Sequence, residues 1–194
     1  MRRRTFDVLA VGAGLVIAAI LLVAGGLLTW GHSVVSSDVH TQLAAEKIVF
    51  PANNSPAIKA PEFAAMHQYA GQLMTTGAQA EVYADHFIAN HLKEIGAGKT
   101  YSQLSAESLA QPNNAKLAGQ VQTVFRGETL RGLLLNAYGF WQMGQIMAIA
   151  AIAAFASAGL MLILSILGLV HLRRTTPETE IMPRLTTRTQ AHAS

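Results

Sequence analysis

Ile146 to Val170 reads IMAIAAIAAFASAGLMLILSILGLV, and Val8 to Trp30 reads VLAVGAGLVIAAILLVAGGLLTW; neither run contains a charge. A helix needs about 20 apolar residues to cross about 30 Å of hydrocarbon, and each run is that long. Buried helices of a soluble core are the competing reading. A chain of 194 residues is too short to wrap two such helices on every side. The runs therefore predict two transmembrane helices, at 8–30 and 146–170.

The remainder agrees with that partition. Half of the chain is hydrophobic (51%), and only 13% is charged, about half the ~25% usual in soluble domains. Such a chain is too hydrophobic to be disordered. With no cysteine, it has no disulfide framework, no cysteine zinc site and no catalytic thiol. A net charge of +3 is too small to argue for nucleic acid as a partner.

The first run follows Arg2, Arg3 and Arg4, as a secretory or twin-arginine signal would. It exceeds the ~7–15 residues of a secretory apolar core, and no A-x-A site follows it. An uncleaved anchor is expected. Residues 1–7 carry three Arg and one Asp; residues 171–194 carry Arg173, Arg174, Arg184 and Arg188 against Glu178 and Glu180. Both ends are thus net +2, whereas 31–145, with seven Lys+Arg and eight Asp+Glu, is net −1. Positive charge stays inside, so both termini are expected in the cytoplasm of a multi-pass plasma-membrane protein. Trp30 and Trp141, the only tryptophans, fall at the opposite ends of the runs. They are expected at the outer headgroup level, with Tyr138 and Phe140 beside Trp141.

Residues 31–145 lack any useful period-2 alternation and predict an extracytoplasmic helical bundle. Gly31 to Ile48 continues the first helix outward, with Val34, Val35, Val39, Leu43 and Ala44 at helical spacing. FPANNSPAIKAPE, residues 50–62, holds three Pro and breaks the helix. Short helices are expected at Glu62–Gln72 and from a Thr100 or Ser102 cap to Ala110. A longer one is expected from Ala78 to Ile95, stopped by Gly96-Ala97-Gly98. Its face is Val82, Ala89 and Leu92, with Tyr83, Phe87 and Ile88 alongside. From Lys116 a helix leads into the second span, with a first stripe of Leu117, Val121, Val124 and Phe125. Leu130, Leu133, Leu134, Ala137 and Trp141 form a second stripe, and a bend or change of facing is expected at Gly127.

Chemistry is sparse. Glu81, Asp85, His86 and His91 offer the residue types of a non-haem iron site, two His and a carboxylate. On an α-helix, however, His86 and His91 diverge by roughly 140°, and a third segment bearing His40 or His67 would have to fold in. His32, Ser36 and His40 share a face above the outer interface, as a polar edge or a proton-sensing stripe. Thr29, Ser157 and Ser165 are the spans' only polar groups, so no ion path is built from this subunit alone. No nucleophile elbow, phosphate loop or zincin motif occurs. We expect no catalytic residue, no metal ligand and no cofactor. Ala10, Gly14 and Ala18 recur every four residues, as do Ala150, Ala154 and Ala158, with Gly144 and Ala148 on a neighbouring row. Such small faces let helices approach closely, either within the chain or in a homo-oligomer.

MRRRTFD (1–7), LLTWGH (27–32), YADHFIANHLKEIGAGKTYSQLS (83–105), PNNAKLAGQVQTVFRGETLRGLLLNAYGFWQMGQI (112–146) and HLRR (171–174) carry a resemblance. In these segments the chain resembles a family of uncharacterised actinobacterial two-span membrane proteins. The resemblance implies two spans and an exported helical loop. Some members carry the label aromatic ring-opening dioxygenase, but the family implies no catalytic residue that maps onto this chain. The leading expectation is a non-enzymatic accessory protein whose partners are the bilayer and other membrane or envelope proteins. An extracytoplasmic small-ligand sensor and a metal-dependent ring-opening dioxygenase are the alternatives.

Overall fold

A computed structural model describes residues 3–174; residues 171–194 are expected from sequence to form a cytoplasmic disordered tail, and from residue 175 onward that expectation lies outside the described residues. Among the described residues the chain is all-helical, with no strand and a single isolated antiparallel bridge, Val49 to Leu73. The elements are α1 (Arg3–Ala45), 3₁₀ segments Pro56–Ile58 and Pro61–Tyr69, α2 (Gly77–Val82), a π-helical turn Tyr83–Ile88, α3 (Ala89–Ile95), α4 (Tyr101–Ala110) and α5 (Ala115–Arg174). Two helices, α1 and α5, are long and apolar enough to cross a membrane. The chain divides into two compact units, 1–28 with 149–194 and 29–148.

In the first unit α1 and α5 run antiparallel along one seam. Val11, Ala18 and Gly25 face inward from α1, and Ala151, Ala158 and Ser165 from α5. Both sets step by seven residues, the period at which an α-helix falls only about 20° short of two full turns. The four-residue rows expected from sequence turn about 40° at each step instead. Ala10 is accordingly exposed while Ala18 is fully buried. Small residues at the seam set the separation: a Cβ on Gly25 would sit 2.9 Å from the Phe155 ring. The remaining surface is uncovered aliphatic side chains, with Ile152 70% exposed. Only 17% and 11% of the two apolar windows is buried, unlike the core helix of a soluble protein.

The second unit has its own core. Val39 and Leu43 of α1, Leu134 of α5, and Ala80, Ala84, Ile88 and Leu92 of the 77–95 helix meet there. Phe50, Ile58, Phe63, Met66 and Met74 complete it, all from the segment between α1 and α2. That segment is more than a linker. Met74 N–H donates to Ile48 O (2.8 Å) and Phe50 N–H to Gln72 O (2.9 Å), clipping its two ends together. The helix expected at Glu62–Gln72 is the 3₁₀ segment Pro61–Tyr69, which buries Phe63 and Met66.

The 77–95 helix is opened by Thr76. Its Oγ1 accepts from Gln79 N–H (3.3 Å), and Gln79 Oε1 accepts from Thr76 N–H (3.1 Å), a reciprocal cap. Of the expected Val82, Ala89, Leu92 face, Leu92 is buried and Val82 partly buried against the core, but the fully inward row is a different one. It is Ala80, Ala84, Ile88 and Leu92, four apart. Four α-helical residues overshoot one turn by about 40°. The π turn Tyr83–Ile88 widens the helix in the middle of this row and absorbs the drift. The stop at Gly96-Ala97-Gly98 has Gly98 N–H on Lys93 O (2.8 Å) and Ala97 N–H on Glu94 O (3.0 Å), with Ala97 left-handed at φ 51°, a Schellman ending.

Thr100, rather than Ser102, caps α4 through Gln103. Leu104 then packs on Leu117 and Val124 of α5 in a small second cluster. The helix is not interrupted at Gly127: α5 is one helix from Ala115 to Arg174, and Leu117 and Val124 before Gly127 pack with Leu104 while Leu134 after it joins the main core. Gly127 is instead a slot: a Cβ there would meet Leu92 Cδ2 at 2.3 Å.

Candidate functional site

Of Glu81, Asp85, His86 and His91, the last three each face a different partner. Asp85 Oδ1 accepts from Arg131 Nη2 of α5 at 2.8 Å. His86 Nδ1 lies 3.4 Å from Glu62 O. His91 Nδ1–H donates to Phe87 O at 2.7 Å, and its ring lies against Phe63 and Phe87. His67, the candidate third donor, has Nδ1 on Asn53 Oδ1 at 2.9 Å. The π turn removes the premise of the angular argument, because α-helical angles do not apply over Tyr83–Ile88. Separate partners keep these side chains apart instead. Among the described residues no three His, Cys, Asp or Glu stand together as a metal-binding group.

His32 and Ser36 form an inter-helix tie. His32 Nδ1–H donates to Gly144 O of α5 at 2.8 Å, and Ser36 Oγ lies 3.4 Å from the same nitrogen. His40, farther along α1, is exposed. The three residues therefore do not act as one stripe.

Among the described residues two groups have shifted ionisation. Burial raises the Tyr83 hydroxyl above its ordinary value, and its ring packs edge-on to Phe50 at 5.4 Å. The hydrogen bond to Asp85 raises the Arg131 guanidinium, with Glu128 adding to it. Both changes hold the groups in their neutral-pH forms, phenol and cation, and suit packing rather than proton transfer. Gln79, which was not singled out from sequence, is 6% exposed yet well partnered: its Oε1 accepts from the Thr75 and Thr76 amides, and its Nε2 donates to Gln72.

A different feature stands out on the second unit. A groove of about 480 Å³ runs between α1 and α5, floored by Val35, Val39, Leu43, Leu134 and Ala137. One edge is Asp38, Gln42 and Glu46; the other is Leu130, Leu133 and Phe140. The stripe expected over Leu130 to Trp141 is therefore two faces. Leu134 goes into the core with Ala137 and Trp141 beside it, while Leu133 stays 63% exposed. Trp141 is partly buried against the same core and packs on Gly77, whereas Trp30 is 68% exposed. The split was foreshadowed by adjacent Leu133 and Leu134, which cannot share one helix face.

Comparison of the chain with protein-family models, with curated proteins and with solved structures gave no match.

Proposed function

We propose that this is a two-span plasma-membrane protein, both termini cytoplasmic, whose extracytoplasmic helical unit binds another membrane or envelope protein as a non-enzymatic accessory subunit. The groove edged by Leu130, Leu133 and Phe140 carries the interaction reading. Large apolar side chains left uncovered beside a concave surface mark a place where a further element docks. The unburied aliphatic surfaces of α1 and α5 support the membrane reading, because hydrocarbon tolerates what water does not. The resemblance to the actinobacterial two-span family points the same way. The ring-opening dioxygenase alternative lacks a converged donor set among the described residues. The small-ligand sensor draws on a volume within the ~300–1,000 Å³ of ligand sites. Yet the polar residues of the groove, Asp38, Gln42, Glu46 and Asn136, are all exposed at its margins.

Affinity recovery of the full chain from native membranes in mild detergent tests the reading. A membrane or envelope protein should co-purify in near-stoichiometric amount and be lost with Leu133→Glu. Recovery of the chain alone, under conditions that keep it folded, overturns it.

Orientation is tested separately. Single cysteines at Ser55 and Ser194 should differ in intact cells: an impermeant thiol reagent should label position 55 and not 194. The reason is the net +2 at each end of the chain against −1 between the apolar runs. Labelling at 194 alone inverts the topology.

A further inference from the structure

The groove's two edges differ in chemistry. Asp38, Gln42 and Glu46 follow one another at four-residue steps, all exposed. Neither carboxylate belongs to any of the ion pairs present among the described residues. No Lys, Arg or His lines the groove. Opposite them stand Leu130, Leu133 and Phe140, at the spacing of one helix face, over an aliphatic floor. An occupant must therefore be apolar along its base and one flank, and cationic along the other flank.

From these edges we infer that the groove receives a basic amphipathic helix of the partner protein, an inference that rests on the interaction reading above. Asp38 and Glu46 lie eight residues apart, about 12 Å along a helix axis. A docked helix meets both with Lys or Arg seven or eight residues apart, flanking an i, i+3, i+4, i+7 apolar row that fills the groove. Leu130 to Phe140 spans about 15 Å, room for roughly three helical turns. The same charges disfavour other occupants. Anionic lipid headgroups are repelled by the two carboxylates, and two copies of this groove placed face to face would set carboxylate against carboxylate. Unpaired carboxylates on an open edge also steer a basic segment toward the site, so the association weakens with salt.

The test places p-benzoylphenylalanine at Leu133, and separately at Phe140, in the full chain in native membranes. The photoadduct is then mapped by mass spectrometry. The expected adduct is a second protein, joined through a segment with an apolar helical row and Lys or Arg on one flank. Asp38→Lys together with Glu46→Lys should lower adduct yield about tenfold. Asp38→Asn with Glu46→Gln should lower it less. Thermal unfolding should not change, because neither carboxylate has a partner to lose. A protein adduct unaffected by the reversal, or joined through an acidic or uncharged segment, overturns the basic helix while leaving the interaction reading intact. Adducts to lipid or to a second copy of this chain overturn it too. No protein adduct at either position sinks both readings.

Discussion

Phe50→Ala should lower the stability of the 29–148 unit by about 3–5 kcal/mol, the cost of deleting a fully buried aromatic ring. Phe50 is 1% exposed, and its ring centroid lies 5.4 Å from those of both Tyr69 and Tyr83. It therefore joins the 3₁₀ segment Pro61–Tyr69 to the π turn Tyr83–Ile88. The ring also sits at the clip where Phe50 bonds Gln72 and Gly71 bonds Phe50, so a cavity there loosens both strands of the clip. For a unit of this size the loss should appear as a fall in Tm of about 10 °C or more for the detergent-solubilised chain. Leu109→Ala is the control: at 82% exposure it should leave Tm within a degree or two. A Phe50→Ala protein melting within about 3 °C of the parent would mean that the 46–75 segment is no part of the core.

Gly77→Ala should destabilise the 29–148 unit. A Cβ at position 77 would sit 2.3 Å from Trp141 Cβ and 2.6 Å from Trp141 Cγ. These atoms are next to the α5 backbone and move only if the helix moves. Overpacking of this kind costs about 1–3 kcal/mol. The gain in helix propensity on replacing Gly is at most about 1 kcal/mol. Gly127→Ala provides the contrast, since its new Cβ would meet Leu92 at Cδ2, the far end of a side chain with other rotamers. Leu92→Ala should therefore relieve Gly127→Ala, whereas Trp141→Leu should not relieve Gly77→Ala, because the Cβ remains. In a Trp30→Phe background, emission from Trp141 reports the displacement directly. Equal losses for the two glycine variants, or rescue of Gly77→Ala by Trp141→Leu, would mean that α2 and α5 approach less closely than the structure has them.

What the sequence by itself determined is local. The two apolar runs announce helices because length and the absence of charge are properties of a single segment. Caps and stops are legible for the same reason: Thr100 with Gln103, and Gly96-Ala97-Gly98, satisfy helix ends with neighbours a few residues away. Which face of each helix turns inward is not local. Ala10 and Ala18 have one chemistry, yet Ala18 is fully buried and Ala10 exposed, because antiparallel packing selects the seven-residue seam. Leu133 and Leu134 differ only in direction, and what lies across α5 decides which becomes core. Proline correctly broke the helix at residues 50–62 but said nothing of Phe50 and Ile58 turning inward. The groove and its acidic edge exist because α1 and α5 lie side by side there, with no third helix among the described residues over them. Residues 38–46 and 130–140 are about ninety positions apart in the chain, and contacts at that separation are set by tertiary packing rather than by any pattern within a segment.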